Sequence, residues 1–562
     1  MKTHDMINPK GSIVALVLLF FFLLAPALPE VSTYHSDEHF YTDAAVYMIQ
    51  HSDYLSPHYA DGSLRTKKPI LTYWAIMAGF TTFGVNFFGA RLPFLLAGCV
   101  MVWLTYRMAM QLFKTQRVAL LAAAILASNM QFLVLCLRAT PDILQVLFMN
   151  ISLCGFIAIA FNRDTRLRNY VMIYFGAALV VLTKGLLGLV LVAFILVYHL
   201  LAHARDTAAV RITHIPVMVI AAATAFSWYA GMFLQHGEGA LWSFYTDQIG
   251  GKVSGSELYI FANFKDYLWG VFRNFLPWSL VLVLGYAIDR KAVHDTVRQH
   301  RKQTIFIVGW FSLMLAIFIG STDCRTRYLV PAYPLLAILV AALLWRLLDH
   351  RWNQRIWRWV SSVVIGLVSV AGVCLLAAGI FLQVHFAAGG AVLLGGAAAA
   401  VWGWKRNRTS MPPVMMGILL LAALSGPRGF VLPTLEFAPA RSLTDCLLRS
   451  DRFGETIDVW SLSRANYLRQ LYTLSHGRIR VHYFRPGNLP AQLENKPLVV
   501  LNNREKESNK SDDYGIERCG AVFRAPAFKT FYNVLLTGDR NAIYGSLQEP
   551  IFLARRIGGE QR

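Results

Sequence analysis

Apolar runs separated by short polar loops recur along the chain from residue 12 to residue 425. A helix needs roughly 20 such residues to cross a bilayer, fewer where neighbouring helices cover it. The runs near 12–30, 89–112, 118–137, 143–161, 170–183, 186–202, 212–233, 268–287, 304–320, 328–347, 359–382, 388–404 and 411–425 predict about 13 spans. The first run lacks a small-x-small cleavage site and reads as a retained signal anchor. Basic residues then test the count. With the N-terminus inside, the inward loops carry Lys114 and Arg117; Arg163, Arg166 and Arg168; Arg205 and Arg211; Arg290, Lys291, Arg298, Arg301 and Lys302; Arg351, Arg355 and Arg358; and Lys405, Arg406 and Arg408. Every inward loop is basic, as expected for cytoplasmic loops. The outward segments are then 31–88, 138–142, 184–185, 234–267, 321–327, 383–387 and everything after about 426.

Two outward loops are long. The first, 31–88, opens with Phe40, Ala44, Tyr47 and Met48 at helical spacing, which predicts an amphipathic helix along the membrane surface. The second, 234–267, holds Gly237, Gly239, Gly250, Gly251 and Gly255 and is expected to be mobile. Past residue 432 the apolar runs stop. There IDVWSL and PLVVLNN read as strands and SRANYLRQLYTL as a helix. The expected organisation is a polytopic α-helical membrane domain, 1–430, followed by a small external α/β domain, 431–562. No internal repeat is evident.

Composition agrees. Of 562 residues, 56% are hydrophobic and 15% charged, as in polytopic membrane proteins and unlike soluble domains. The net charge of +21 resides mainly in short loops, which favours topology signals and anionic lipid over nucleic acid. No basic run forms a nucleic-acid arm. Seven scattered cysteines without a CxxC argue against metal or redox use. Cys99, Cys136, Cys154 and Cys374 lie in apolar runs and read as packing residues. Cys446 and Cys519 share the C-terminal region, but spacing alone does not establish a disulfide.

Charges at outward span ends change the picture. Asp37 and Glu38 follow the first run. Asp142 starts a span, with Arg138 close by; Lys184 separates two apolar segments; Arg325 and Arg327 precede another run. Each has an ordinary reading. Asp142 could serve a helix N-terminus, Lys184 could snorkel, the arginines could hold headgroups, and Asp37-Glu38 could be a solvated turn. Their common side favours one site. Carboxylates beside cations suit a reaction in which a nucleophile attacks and a phosphate leaves: the cations neutralise the departing phosphate, and a carboxylate orients or deprotonates the nucleophile. In a membrane, that phosphate is expected to carry a lipid. The parts describe glycosyl transfer from a polyprenyl-phosphate sugar.

The pattern DE-x2-Y at 37–41, KP-x3-YW at 68–74, Asp142 early in a span, TKG at 183–185 and RYLVPAYP at 327–334 resembles the GT-C membrane glycosyltransferases. Within that class the chain resembles the bacterial dolichyl-phosphate-mannose–protein mannosyltransferase-like superfamily, and there the transferases of 4-amino-4-deoxy-L-arabinose to lipid A. The resemblance covers residues 10–350; beyond them it is architectural. It implies a GT-C fold in the bacterial inner membrane, with the active site and C-terminal domain facing the periplasm. The implied reaction is an inverting displacement, with undecaprenyl phosphate as leaving group. Asp37 matches the family's catalytic acid and Asp142 its second acid. Lys68 and Tyr328 match residues near the donor phosphate; Lys67, Arg325 and Arg327 are further phosphate-binding candidates. Glu38, Tyr41, Lys184 and Asp247 are substrate-binding candidates. Two departures bear on cofactors. Lys67 stands where the aminoarabinose transferases tend to have Glu, and Asp247-Gln248 where they tend to have Glu-His, a pair that can hold a metal ion. No cofactor is therefore expected, with Lys67 supplying the charge a divalent metal would bring; a solvent-facing Lys67 is the plain alternative. Expected partners are the polyprenyl-phosphate sugar, a lipid A, glycan or protein acceptor, and membrane lipid. Rival readings are a protein O-mannosyltransferase-like or other envelope-glycan transferase, a lipid-linked sugar transporter, and an inactive scaffold.

Overall fold

In the computed structural model the described residues are 9–29, 37–203, 212–246, 257–321, 324–348, 351–381, 384–406, 412–426, 439–449, 456–461, 468–483, 498–501, 514–523 and 548–556. Each apolar run carries helix, from Pro9–Leu24 and Phe87–Phe113 through Pro141–Asn162, Leu167–Lys184 and Leu187–His203 to Arg351–Phe381, Val384–Arg406 and Pro412–Gly426. By length and hydropathy, five helices among the described residues can cross a membrane, and up to seven if each of two bent pairs is one span. This is fewer than the 13 read from the sequence. The shortfall has two visible causes: some apolar helices are short, and two runs are broken.

The runs at 118–137 and 268–287 are not single straight helices. Gln116–Ala127 and Met130–Cys136 meet at 67°, and Ile260–Asn274 and Trp278–Ile288 at 95°. A helix end in an apolar setting must satisfy its backbone internally. Asn129, in the first break, supplies backbone partners to both. Asn129 caps the second half of its helix through the Phe132 amide (3.1 Å), and its Nδ2 donates to the Asn274 carbonyl (3.0 Å). Trp278 Nε1 donates to Ser128 Oγ (3.3 Å). Asn274 Nδ2 donates to the Tyr333 hydroxyl (3.1 Å), so the joint also holds the start of helix Tyr333–Leu348.

The largest buried side chains include Trp278, Trp310, Tyr333, Phe94, Phe132, Phe156 and Phe306, which fill the bundle between these helices. Cys99, Cys136 and Cys154 are buried there, as expected of packing residues. Cys374 differs: it is exposed on helix Arg351–Phe381.

The amphipathic helix expected after residue 31 forms as His39–Gln50, but more than one of its faces is covered by protein. Ala44 and Met48 are fully buried, and so is most of the opposite face, including Thr42 and Asp43. The C-terminal region covers that face. The Thr473 hydroxyl donates to Asp43 Oδ1 (2.6 Å) and lies 2.9 Å from Thr42 Oγ1, while Gln50 Nε2 donates to the His476 carbonyl. In the C-terminal region five strands, β1 (Ile457–Ser461), β2 (Ile479–Tyr483), β3 (Leu498–Leu501), β4 (Tyr514–Phe523) and β5 (Gln548–Arg556), form one sheet in the order β2-β1-β3-β5-β4. β1 pairs in parallel with β2 and β3; β5 runs antiparallel to β3 and β4. Both expected strands are present. Of the expected helix, the described part is a short turn and Leu471–Leu474. A disulfide joins Cys446, on helix Pro439–Arg449, to Cys519 on β4.

Burial pushes the Asp43 carboxyl up to about 8, against the lowering influence of the Thr473 hydroxyl and of Arg65. The folded protein therefore keeps a proton that the unfolded chain releases in the ordinary carboxyl range. Its stability contribution is full at acid pH and erodes as pH rises through about 8. The slope from one such group is at most about 1.4 kcal/mol per pH unit. Asp43→Asn mimics the neutral form. Melting temperatures followed from pH 5 to pH 9 should fall less in this variant than in the wild type; parallel profiles would remove Asp43 as the titrating group.

Candidate active site

A cavity of about 550 Å³ opens between helix His39–Gln50, the turn before Pro141, the end of helix Leu167–Lys184 and the segment Arg325–Tyr328. Each wall has a local cause. Pro141 occupies the first turn of helix Pro141–Asn162 after an extended Thr140, so Asp142 sits at the positive end of the helix dipole. Lys184 is the last residue of its helix, a favoured place for a cation, and Gly185 then turns the chain with φ +85°. Lys67 and Lys68 follow a tight turn. Asp61 Oδ1 accepts from the Ser63 amide (2.9 Å), Gly62 takes φ +84°, and the Arg65 amide donates to the Pro57 carbonyl (2.7 Å). Arg325 to Tyr328 lead into the 3-10 helix Thr326–Ala332. That helix is clamped by Asn150 Nδ2, which donates to the Pro331 carbonyl (3.1 Å), and by the Arg325 amide, which donates to the Tyr267 hydroxyl (3.3 Å).

The cavity gathers Asp37, Tyr41, Lys67, Lys68, Asp142, Lys184, Arg325, Arg327 and Tyr328 on one surface. Asp37 Oδ2 accepts from Arg327 Nη2 (2.9 Å) and Arg325 Nη1 (3.2 Å). Asp142 Oδ1 pairs with Lys184 Nζ (2.6 Å), and its Oδ2 lies 3.9 Å from Arg327 Nε. Arg327 thus links the two acids. The Lys184 ammonium stands 5.0 Å from the Tyr328 ring centroid. The acids differ in access: the Asp37 side chain is 34% exposed and that of Asp142 only 7%. Asp37 can meet a substrate, whereas Asp142 is an anchor for cations.

Of the other expected residues, one stands elsewhere and one lies outside the described residues. Glu38 does not line the cavity: it is fully buried and pairs with Arg91, because its side chain points into the bundle while Asp37 points out. Asp247, with Gln248, lies outside the described residues. The cavity also holds residues that the sequence reading did not single out. Arg65, 3% exposed, lies among the rings of Phe40, Tyr41 and Tyr59 at 4.9 to 5.1 Å and donates to the hydroxyls of Tyr73 (2.9 Å) and Tyr59 (3.1 Å). The basic stretch Arg65-Thr66-Lys67-Lys68 was the available signal. Burial holds the Tyr41 hydroxyl well above the ordinary phenol range, so it remains a donor. Leu186, Leu187, Val190, Ile317 and Phe318 form an apolar wall, and in an apolar chain nothing marks such residues out.

Residues 67–229 match the family described as dolichyl-phosphate-mannose-protein mannosyltransferase. An uncharacterized protein of Aquifex aeolicus is 26% identical over 58% of this chain and 62% of its own length. An undecaprenyl phosphate-alpha-4-amino-4-deoxy-L-arabinose arabinosyl transferase of Pseudomonas fluorescens is 26% identical over 65% of this chain and 63% of that protein. The chain spans less than two thirds of the length of these curated relatives. The crystal structure of ArnT from Cupriavidus metallidurans in the apo state aligns over 97% of both chains, with a TM-score of 0.65 at 17% identity. ArnT bound to undecaprenyl phosphate aligns over 98% of this chain and 99% of that one, with a TM-score of 0.64 at 18% identity. The chain has the ArnT-like GT-C fold.

Six cationic side chains (Arg65, Lys67, Lys68, Lys184, Arg325 and Arg327) line the cavity against two carboxylates, among the described residues. Among the described residues no histidine or cysteine lines it, and both of these carboxylates are engaged by cations. Protonated lysine and arginine offer no lone pair to a metal ion. This donor set does not fit a divalent cation. It fits an anion.

Proposed function

We propose that the chain is a glycosyltransferase that moves a sugar from a polyprenyl-phosphate donor, of the undecaprenyl-phosphate kind, to a cell-envelope acceptor such as lipid A. One observation carries this reading: six cations and two carboxylates converge in a single cavity that also has an apolar wall. A lipid-linked phosphate needs both surfaces at once. The names of the relatives, arabinosyl transferases of undecaprenyl phosphate-alpha-4-amino-4-deoxy-L-arabinose, support the donor class.

In the proposed reaction an acceptor oxygen attacks the anomeric carbon, and the bond from that carbon to the phosphate oxygen breaks with inversion. The phosphate leaves with the electron pair, and Lys67, Lys68, Arg325, Arg327 and Tyr328 stabilise it. A hydroxyl acceptor passes its proton to Asp37. A phosphate monoester acceptor is already largely ionised, and Asp37 then orients it. Asp142 holds Lys184 and Arg327 in place. Lys184, Tyr41 and Asp247 complete the substrate contacts of this reading. The reading takes all 13 apolar runs as spans in the bacterial inner membrane. It places the cavity and a C-terminal α/β domain, 431–562, in the periplasm, an oxidising compartment that suits the Cys446–Cys519 disulfide.

The test is mass spectrometry of lipid A and envelope glycans from cells with and without the protein, followed by transfer in proteoliposomes. A sugar-sized mass difference on one acceptor is expected; identical envelopes would refute the function. Transfer should also persist in excess chelator, because lysine and arginine, not a metal, hold the phosphate. Loss of transfer on chelation, restored by one divalent ion, would contradict the donor set described above.

A further inference from the structure

Glu38 and Arg91 form a side-chain pair with no place in the cavity and no exposure to solvent. Arg91 Nε donates to Glu38 Oε1 (2.7 Å) and Nη2 to Oε2 (2.9 Å), a two-pronged contact. The third arm of the guanidinium, Nη1, donates to the Leu28 carbonyl (2.9 Å) at the end of the first helical segment. Glu38 Oε1 also accepts from the backbone amide of Ala139 (2.8 Å). The Phe87 ring lies 4.8 Å from the guanidinium.

These bonds bring three distant stretches to one carboxylate. Asp37 is the neighbour of Glu38 in sequence. The Glu38 carbonyl accepts from the amides of Tyr41 and Thr42, so Glu38 also starts the helix that carries Tyr41 to the cavity. Ala139 lies three residues before Asp142, in a turn closed by the Thr140 amide on the Arg138 carbonyl (2.9 Å). A shift at Ala139 is therefore passed to Asp142. On the cavity side Arg327 spans the same two acids. Glu38 and Arg91 complete the frame from behind.

A buried ion pair is a weak source of net stability, since desolvation offsets much of the attraction and an apolar pair of similar volume often serves as well. What the charged pair adds is direction. A fork on a carboxylate fixes distance and angle, and lysine does not reproduce it. We propose that Glu38 and Arg91 are positioning residues that set the separation of Asp37 and Asp142. The inference rests on the glycosyltransferase reading, but its structural half does not need turnover.

The experiment compares wild type, Glu38→Gln, Arg91→Lys and the double variant Glu38→Gln/Arg91→Met in proteoliposomes. The double variant removes both buried charges and should melt as the wild type does. Its kcat should nonetheless fall about 10- to 100-fold, the effect of a misplaced reacting group. KM for the donor, and Kd for polyprenyl phosphate alone, should stay unchanged because the cavity cations remain. A double variant with native melting temperature and native kcat would reduce the pair to a stability element and overturn the proposal. Should that variant fail to fold, Arg91→Lys decides on the same readouts. A cryo-EM map of the folded variant supplies the independent measure: an unchanged Asp37–Asp142 separation also overturns the proposal. Absence of transfer by the wild type refutes the function instead.

Discussion

Asp37→Asn should leave a folded protein that binds polyprenyl phosphate but transfers sugar at least about 100-fold more slowly, the lower end of general acid–base contributions. The substitution is nearly isosteric and keeps an oxygen acceptor for Arg325 and Arg327, which both reach Asp37 Oδ2. What it removes is the negative charge and the proton acceptor at the more open of the two acids. The size of the loss also reports the acceptor. A hydroxyl acceptor needs its proton taken, so kcat collapses. A phosphate acceptor needs only orientation, so part of kcat survives. Single-turnover rates with each acceptor separate these cases. Wild-type rates from Asp37→Asn with both acceptors would remove Asp37 from the chemistry.

The second large effect is expected at Lys184. Its ammonium lies 2.6 Å from Asp142, and the two side chains are 11% and 7% exposed. Removing one member of a buried pair leaves the other charge uncompensated, at a cost of about 3 kcal/mol or more. Lys184→Met should therefore lower the melting temperature and also weaken polyprenyl phosphate binding, because Asp142 would then draw Arg327 to itself. Arg327 already lies 3.9 Å from Asp142 while bonding Asp37. Lys184→Met with native stability and native affinity would return Lys184 to a plain snorkelling residue.

Much of the candidate site was legible because membrane chains make charge conspicuous. Asp142, Lys184, Arg325 and Arg327 stood out at the ends of apolar runs, where an ionised group is costly unless it has a partner. The same logic failed for Glu38. Adjacent carboxylates look alike in sequence, but successive side chains point different ways, and one lines the cavity while its neighbour meets Arg91. Arg91 lies at the start of an apolar run, where a lone basic residue is unremarkable. Arg65 was hidden for another reason: its partners are the rings of Phe40, Tyr41 and Tyr59, and no periodicity marks an aromatic enclosure.

The sequence by itself determined the helical membrane class and, Glu38 and Arg65 apart, most of the acids and cations that meet in the cavity. Hydropathy and charge act locally, so the order of residues is enough to reveal them. Tertiary structure decided where helices break, which of two neighbouring acids faces the cavity, and how the C-terminal region grips helix His39–Gln50. The breaks at Ser128-Asn129 and Asn274–Pro277 are tied together by Asn129 Nδ2 on the Asn274 carbonyl and by Trp278 Nε1 on Ser128 Oγ, contacts that span 145 and 150 residues. Such choices depend on hydrogen bonds between distant segments, and the order of residues along the chain does not record them.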